Sequence, residues 1–263
     1  MTFSVVAFDP KDRKWGVGVA SRFLSVGSVV PWARAGIGCI ATQSYANYSY
    51  GPEGLELLKQ YSSKDTIEAL TSKDSDAARR QVAAIDSSGT PYAYTGSKCM
   101  DYAGHIVGKN FSVQGNILAG PSVLEGMSEE MAKEGKLEER ILSAMYSAEK
   151  QGGDRRGRQS ACIFIVSENE HFEEGSDVYM DIRVEDAKEP IPELNRIMEV
   201  WMATFFEREF VNISDHQKEL DDAIKLSGFE SLEKLAESRR VEFNINDGKI
   251  GKYSLKVITS DLW

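Results

Sequence analysis

The N-terminus carries the pattern that most constrains the fold of this chain. Residues from Thr2 to Phe8 alternate through β-branched and aromatic side chains and run into the turn sequence Asp9-Pro10-Lys11-Asp12. An extended pattern then resumes from Trp15 to Ser21, in WGVGVAS. The two segments predict a β-hairpin at the extreme N-terminus, with Thr2 opening its first strand.

The order of the other predicted elements decides between fold classes. Further strands are predicted at Ser28 to Val30, Gly38 to Gln43, Gln81 to Ile85, Pro91 to Thr95, Phe111 to Asn116, Ala161 to Val166 and Val178 to Val184. Helices are predicted after Pro52, after Ser63, in VLEGMSEEMAKE, in LEERILSAMYSAEKQ and from Pro190 to about Phe210. Because strands come in runs, an α+β layered architecture is favoured over a doubly wound parallel sheet. We expect two facing antiparallel sheets with helices outside.

The length allows one main domain and a small addition. A chain of 263 residues exceeds the usual size of a single domain only slightly. From about Val211 the composition becomes more charged and less strand-like. We predict a main domain over residues 1–210 and a small helical appendage over residues 211–263.

Charge and cysteine usage exclude several classes of function. With 41 acidic and 31 basic residues the net charge is −10, which repels nucleic acids and anionic membranes. The N-terminus shows no charged leader and no long apolar stretch, so we expect a cytoplasmic protein. Cys39, Cys99 and Cys162 form no CxxC pair and are odd in number, which argues against disulfides and a zinc knuckle. We expect all three to be buried.

The sequence offers no clear cofactor or metal motif. His105, His171 and His216 have no carboxylate or second histidine at metal-ligand spacing, and they support no Ser-His-Asp triad. The glycine runs GVGVAS and GIGC lack the full dinucleotide-binding fingerprint, and the chain contains no GxxxxGK[ST] motif. We therefore expect neither a cofactor nor a metal.

Thr2 is the strongest candidate for chemistry. Removal of Met1 occurs only when the second side chain is small, as threonine is, and would leave an α-amino group beside the Thr2 hydroxyl. Such an amine has an ordinary pKa of about 7.7 to 8.0, so one residue would supply nucleophile and general base. The alternative is that Thr2 only opens a strand as a β-branched residue.

Several well-separated motifs resemble one protein family. The segments are TFSVVAFDP, WGVGVASRF, SVGSVVPWARAG, ATQSYAN, YGPEGLELL, QGNILAGPSV and GGDRRGRQSA, which together span roughly residues 2–205. They resemble the DUF1028 family, an uncharacterised group assigned to the N-terminal-nucleophile (Ntn) hydrolase superfamily. The resemblance implies a four-layer αββα sandwich whose first strand directs its first residue into a cleft between the sheets. It implies no established substrate.

A more distant likeness to proteasome β subunits suggests roles for individual residues. GVGVASR resembles the strand that ends there in an Asp and an Arg beside the nucleophile, which brings Ser21 and Arg22 near Thr2, although Ser21 replaces the acid. Arg34 lies in the stretch that corresponds to the active-site lysine and would lower the pKa of the terminal amine. GGDRRGRQSA resembles the segment whose aspartate holds that amine, which implicates Asp154; the alternative is a solvated turn.

Two further sets of polar residues are candidates for substrate contacts. Asn116 is favoured as an oxyanion donor, because it precedes a helix where free N–H groups gather; alternatively it only caps a turn. Arg155, Arg156 and Arg158 concentrate positive charge, which suits a carboxylate-bearing substrate such as an N-acyl amino acid or short peptide. Pairing of these arginines with surface acids is the alternative. The substrate-binding residues that we predict are Arg22, Arg34, Gln43, Asn47, Arg155 and Arg158.

Two functions follow as hypotheses. The first is an amidohydrolase, expected as a homo-oligomer, that cuts a small amide or peptide-like substrate with Thr2 and hydrogen-bonding help from Ser21, Asp154 and Asn116. The second is a ligand-binding or scaffold protein that keeps the fold without hydrolysis. The tail from about Asp215 resembles a peptidoglycan-binding appendage, and an intramolecular or dimer contact of this tail is the alternative.

Overall fold

The computed structural model describes residues 2–171, 174–206, 210–241 and 248–260. Its fold is a mixed α+β fold with antiparallel sheets. The chain divides into two units, Met1–Leu194 and Asn195–Trp263. The boundary that the sequence suggests, between residues 210 and 211, falls within the second unit.

Ten strands of the first unit form two sheets. In chain order they are β1 (Thr2–Asp9), β2 (Lys14–Ser21), β3 (Pro31–Arg34), β4 (Gly38–Ser44), β5 (Arg80–Asp86), β6 (Pro91–Thr95), β7 (Gly104–Gly108), β8 (Phe111–Asn116), β9 (Ser160–Ser167) and β10 (Val178–Val184). The larger sheet has the order β10-β9-β2-β1-β8-β7, and the smaller has the order β3-β4-β5-β6. The N-terminal strand β1 therefore lies in the middle of the larger sheet, between β2 and β8.

Helices pack on both sheets. Those of the first unit are α1 (Tyr50–Leu58), α2 (Ser63–Ser72), α3 (Ser122–Met131) and α4 (Leu137–Lys150), and α5 (Pro190–Trp201) begins near its end. Helices α1 and α2 contact the smaller sheet, whereas α3 and α4 contact the larger sheet. Strands of the two sheets also contact each other, for example β1 with β4 and β5 with β8.

The glycines of WGVGVAS explain how closely α4 approaches β2. A Cβ atom on Gly16 would lie 2.8 Å from the side chain of Ile141, and one on Gly18 would lie 2.3 Å from it. Real Cβ atoms do not come so close, so both positions need glycine unless Ile141 moves. The run GVGV is thus a helix-packing surface, consistent with its interpretation as strand residues.

The space between the sheets holds a large apolar cluster. Phe8 and Trp15 pack with ring centroids 4.7 Å apart, and Trp15 Nε1 donates to the carbonyl of Asp86 at 3.1 Å. The buried members of the cluster are Val6, Phe8, Trp15, Val17, Val19, Val26, Val30, Cys39, Ala41, Ala83, Ile85, Ala93, Cys162 and Val166. All three cysteines are buried and unpaired, as the sequence predicts. Burial raises the pKa of the Cys39 thiol to about 12.

Two segments differ from the sequence-based assignment. Ser28 to Val30 is not a strand: a 3-10 turn spans Val26–Ser28, because Ser25 adopts left-handed backbone angles and Ser160 Oγ accepts the Val26 N–H. The strand follows instead at β3. The segment GHIVG, where no strand is predicted from the sequence, forms β7 at the edge of the larger sheet, where pairing with β8 determines its conformation.

The second unit is mostly helical. After α5 a π-helical turn spans Met202–Phe206, so the helix predicted to reach about Phe210 ends earlier as an α-helix; residues 207–209 lie outside the described residues. The remaining elements are β11 (Phe210–Asn212), α6 (Gln217–Ser227), α7 (Leu232–Ser238), β12 (Lys249–Gly251) and α8 (Lys252–Thr259). Leu220, Leu235, Ile250 and Ile258 are central to its own apolar cluster.

Within the ranges that the structure describes, no helix combines the length and the apolar composition needed to cross a bilayer. The same ranges contain no group of three or more His, Cys, Asp or Glu residues placed to hold a metal ion.

Candidate active site

Thr2 lies where three neighbouring strands come together. Its Cα is paired with Ser21 at the end of β2 and with Asn116 at the end of β8. The hydroxyls of Thr2 and Ser21 are hydrogen-bonded, with 3.0 Å between their oxygens. Thr2 is 8% exposed and Ser21 is 2% exposed. The structure therefore brings together three of the four residues that the sequence proposes for catalysis.

A cavity of about 240 Å³ opens beside Thr2. Its lining residues are Thr2, Ser21, Phe23, Ser44, Tyr45, Met100, Asn116 and Arg156. The lining combines the hydrogen-bonded hydroxyls of Thr2 and Ser21, a third hydroxyl from Ser44, one amide, one cation and three large side chains that are mainly apolar. Such a combination suits a small, partly apolar molecule with a few fixed polar groups.

Gln43 connects the backbone of Thr2 to the smaller sheet. Its Nε2 is 3.4 Å from the carbonyl oxygen of Thr2 and donates to Oε1 of Gln81 at 2.8 Å. Its Oε1 accepts the hydroxyl proton of Ser4 at 2.7 Å. Gln43 is 1% exposed and does not line the cavity, so it contacts Thr2 from the buried side.

Gln81 on β5 is the centre of this buried network. Its Oε1 accepts hydrogen bonds from Gln43 and from Nδ2 of Asn116, the latter at 3.0 Å. Its Nε2 donates to Thr95 Oγ1 at 3.0 Å and to the carbonyl of Gly115 at 2.8 Å. Because Gln81 presents an acceptor to Asn116, it fixes which way the Asn116 amide faces.

Asp154 organises the rim of the cavity. Its Oδ2 accepts the backbone N–H of Arg22 at 2.9 Å, and its Oδ1 accepts the backbone N–H of Arg156 at 2.8 Å. The segment forms a turn, in which the Gly157 N–H donates to the carbonyl of Asp154 at 2.9 Å, but the Asp154 side chain itself is only 3% exposed. Asp154 thereby joins Arg22, the first residue after β2, to the segment before β9, in which Arg156 lies two residues further along the chain.

The arginines near residue 156 have different surroundings. Arg155 donates to the carbonyl of Asp101, while Arg158 pairs with Glu149 at 3.2 Å and with Glu189. Arg22 Nη1 donates to the carbonyl of Arg156 at 2.8 Å. Burial raises the pKa of Glu149, and the Arg158 guanidinium opposes that rise. Arg158 and Asp154 line a second cavity of about 250 Å³ that Ser21 also borders.

Two predicted residues lie away from Thr2. Arg34 ends β3 opposite Gly38, at the far end of β4 from the cavity residue Ser44, which corresponds to roughly 20 Å of strand. It pairs there with Glu56 at 3.0 Å. The structure therefore does not bring Arg34 near the Thr2 amine, whose pKa it was expected to lower.

Asn47 belongs to a different part of the surface. Its Nδ2 donates to Asp74 at 3.3 Å, and it lines a groove of about 810 Å³ along α1 and α2. Asp74 also accepts hydrogen bonds from Tyr50 at 2.9 Å and from Arg80 Nε at 2.8 Å. The Arg80 guanidinium holds the pKa of Asp74 well below its usual range.

The sequence interpretation missed several site residues. The sequence pattern identifies Gln81 only as the start of a strand. The available signal was the alternation of side chains between the two faces of a strand. It places Gln81 on the same face as Ala83 and Ile85, which are buried. Tyr45, Met100 and Arg156 lie in loops or turns, and only the tertiary structure places them at the cavity.

The family model described as "Family of unknown function (DUF1028)" matches residues 2–194. The chain belongs to the DUF1028 family. The resemblance drawn from the sequence motifs is thereby confirmed, and the match coincides with the first structural unit. No curated protein sequence gives a significant match to this DUF1028 protein.

Solved structures extend this comparison. The crystal structure of the DUF1028 protein SPO2555 from Silicibacter pomeroyi is 29% identical, with a TM-score of 0.69, and covers 76% of this chain and 89% of that one. Anbu (ancestral beta-subunit) from Yersinia bercovieri is 10% identical, with a TM-score of 0.35, covering 80% of this chain and 98% of that one. The Anbu (Gly-1) mutant from Hyphomicrobium sp. strain MC1 is 14% identical, with a TM-score of 0.35 and the same coverage.

Proposed function

We propose that this DUF1028 protein has the four-layer αββα sandwich of Ntn hydrolases and hydrolyses a small amide or peptide-like substrate. Thr2, after removal of Met1, is the nucleophile. The observation that carries the proposal is the position of Thr2, at the end of a central strand and in the lining of a cavity that Asn116 and Arg156 also line. A residue that only opened a strand would need no such cavity.

The proposed reaction uses the two functional groups of Thr2. The α-amine takes the proton from Oγ1 as this oxygen attacks the carbonyl carbon of the amide. The C–N bond then breaks, the leaving amine receives that proton, and an acyl ester remains on Thr2. A water molecule, deprotonated by the same amine, attacks the ester, releases the acid and restores the hydroxyl.

The surrounding residues support this chemistry by holding the groups in position. Ser21 Oγ is 3.0 Å from Thr2 Oγ1, so it restricts the rotation of the nucleophile. One N–H of Asn116 is committed to Gln81, and the other is the donor that we assign to the developing oxyanion. A donor whose orientation is fixed before reaction stabilises a transition state better than a mobile one does.

The non-catalytic alternative has two observations in its favour. The Thr2 hydroxyl is hydrogen-bonded to the neutral Ser21, and among the described residues that line the cavity there is no lysine or carboxylate. In a binding protein the cavity would hold its ligand unchanged. The two functions differ in whether Thr2 forms a covalent adduct.

Intact-mass spectrometry and labelling test the hydrolase proposal together. The purified protein is expected to lack Met1, and a small β-lactone is expected to add its full mass at Thr2 because opening of the lactone forms an ester. Thr2→Ser is expected to remain labelled, whereas Thr2→Ala is expected to lose labelling. Both substitutions keep a small second residue, so Met1 removal remains comparable across the three proteins.

The outcomes separate the two functions. Labelling of Thr2 in the processed protein supports the hydrolase. A processed protein that takes no label, or a protein purified from its host with Met1 still attached, would contradict the hydrolase and leave the ligand-binding function. Equal thermal stability of the Thr2→Ala variant excludes unfolding as the reason for lost labelling.

A further inference from the structure

We propose that Arg156 binds a carboxylate of the substrate, so that the molecules cleaved at Thr2 are small amides with a free carboxylate beside an apolar group. This inference rests on the proposed function and specifies its substrate class. It also assigns recognition to Arg156, whereas the sequence favoured Arg155 and Arg158.

The first argument is the position of the charge. Arg156 and Thr2 line the same cavity of about 240 Å³, and within the described part of that lining Arg156 alone carries a positive charge. The whole chain has a net charge of −10, so its averaged field repels an anionic molecule. A carboxylate that enters this cavity therefore needs a local cation, and Arg156 supplies it.

The second argument is how the Arg156 side chain is held. Asp154 accepts its backbone N–H at 2.8 Å, and Arg22 Nη1 donates to its carbonyl at 2.8 Å, so the backbone is fixed on both sides. The side chain is 44% exposed, and its Nη2 makes a long contact of 3.4 Å to Asp154. A guanidinium carries its five N–H donors in a fixed planar fork, which is the geometry that binds a carboxylate through two parallel hydrogen bonds.

The neighbouring arginines are engaged elsewhere. Arg155 donates to the carbonyl of Asp101, and Arg158 forms ion pairs with Glu149 and Glu189. Neither lines the Thr2 cavity among the described residues. Pairing with acids, the alternative raised for the cluster, thus applies to Arg158 and also to Arg156 through Asp154, but of the three arginines only Arg156 lines the described part of the Thr2 cavity.

The third argument concerns the rest of the substrate. Phe23, Tyr45 and Met100 line the same cavity and are 47%, 47% and 50% exposed. Large apolar side chains exposed together at a cavity indicate a surface that binds an apolar group. A substrate with a carboxylate on Arg156 and an apolar substituent on these three side chains would match both features at once.

A pair of matched β-lactones tests the inference. The two compounds carry the same apolar substituent and differ only in a carboxylate or a primary carboxamide, which has nearly the same shape without the charge. Wild-type protein is expected to be labelled faster by the carboxylate compound. In Arg156→Gln this preference is expected to fall by roughly ten- to a hundredfold, the usual effect of losing hydrogen bonds to a charged group. The rate with the carboxamide is expected to fall less than the rate with the carboxylate, because a neutral amide oxygen accepts a weaker hydrogen bond from the guanidinium.

Two further variants make the result specific. Arg156→Lys keeps the charge and loses the fork, so an intermediate preference is expected. Arg155→Gln removes one charge from the same segment and is expected to keep the preference. If Arg155→Gln and Arg156→Gln lose it equally, general attraction by the segment explains it, and the assignment to Arg156 is wrong. Thermal unfolding shows whether each variant is folded.

Failure of this inference is distinguishable from failure of the proposed function. If wild-type Thr2 reacts equally fast with both lactones, Thr2 is a nucleophile but Arg156 does not select a carboxylate. If neither lactone modifies Thr2 in processed protein, the hydrolase itself is contradicted and the substrate class with it.

Discussion

The space between the two sheets changes character along its length. At one end, β1 and β5 contribute Phe8 and Ile85 to an apolar cluster, next to Trp15 of β2. At the other end, the same faces of β1 and β5 contribute Ser4 and Gln81, which are fully buried. Strand β4 repeats the change, from Cys39 at the apolar end to Gln43 at the polar end. Thr2 lies at the polar end.

This comparison shows that the two ends of the space between the sheets have different roles. Burial of apolar surface contributes stability in proportion to area, at about 25 cal/mol per Å². A buried amide pair gains little net free energy, because each group gives up hydrogen bonds to water, but an amide that loses its partner is costly. The polar end therefore fixes the orientation of groups around Thr2, while the apolar end holds the sheets together.

Trp15→Ala is expected to have the largest effect on stability. The indole is fully buried against Phe8, and its Nε1 donates to the carbonyl of Asp86. Removing it is expected to lower the free energy of unfolding by about 4 kcal/mol, measured by urea denaturation. At low temperature, where the variant is folded, β-lactone labelling of Thr2 should proceed at the wild-type rate. A large loss of labelling in the folded variant would contradict the conclusion that the apolar end contributes only to stability.

Gln81→Leu tests the polar end. Leucine has a similar size but no acceptor, so Gln43 Nε2 and Asn116 Nδ2 each lose a hydrogen-bond partner. We expect a loss of about 3 kcal/mol in the free energy of unfolding, since each unsatisfied buried donor costs about 1 to 3 kcal/mol. Labelling of Thr2 is expected to slow in the folded protein, because Asn116 is no longer oriented.

Ile85→Val is the matched control for this variant. Ile85 is fully buried on the same face of β5 but at the apolar end. The substitution is expected to cost about 1 kcal/mol without changing the labelling rate. If both variants slow labelling in proportion to their loss of stability, the network has no positioning role beyond its contribution to folding.

Asp74→Asn is expected to have a smaller effect than Trp15→Ala and Gln81→Leu, with a characteristic pH dependence. Asp74 accepts hydrogen bonds from Asn47, Tyr50 and Arg80, and Arg80 in turn donates to the carbonyl of Tyr45 at the cavity wall. At neutral pH the variant is expected to lose about 2 kcal/mol of unfolding free energy.

The expected direction with pH follows from the lowered pKa of Asp74 in the folded protein. Its contribution is fully present well above about pH 4, the ordinary pKa of an aspartate in an unfolded chain, and declines as pH falls toward the folded value. The difference between wild type and Asp74→Asn should therefore shrink on acidification from about pH 5. Denaturation curves across this range check it, and a difference that stays constant would contradict the role of ionised Asp74.

Local patterns were sufficient for most elements of the first unit. The strands at Pro91–Thr95, Phe111–Asn116 and Val178–Val184 have the predicted bounds, because runs of β-branched and aromatic residues end there at turn residues. Edge strand β7 and the turn Val26–Ser28 were missed. In both cases a long-range partner determines the backbone, β8 for the former and Ser160 for the latter.

The sequence by itself predicted the N-terminal hairpin, and the resemblance of GVGVASR, not the hairpin, placed Ser21 near Thr2, where the structure pairs the two residues. It also determined the family. Only the tertiary structure decided that Asn116 and Gln81 meet behind Thr2, that Arg156 rather than its neighbours lines the cavity, and that Arg34 lies elsewhere. The physical reason is that these relations join residues distant along the chain, whose distances depend on how the sheets pack and not on local preference.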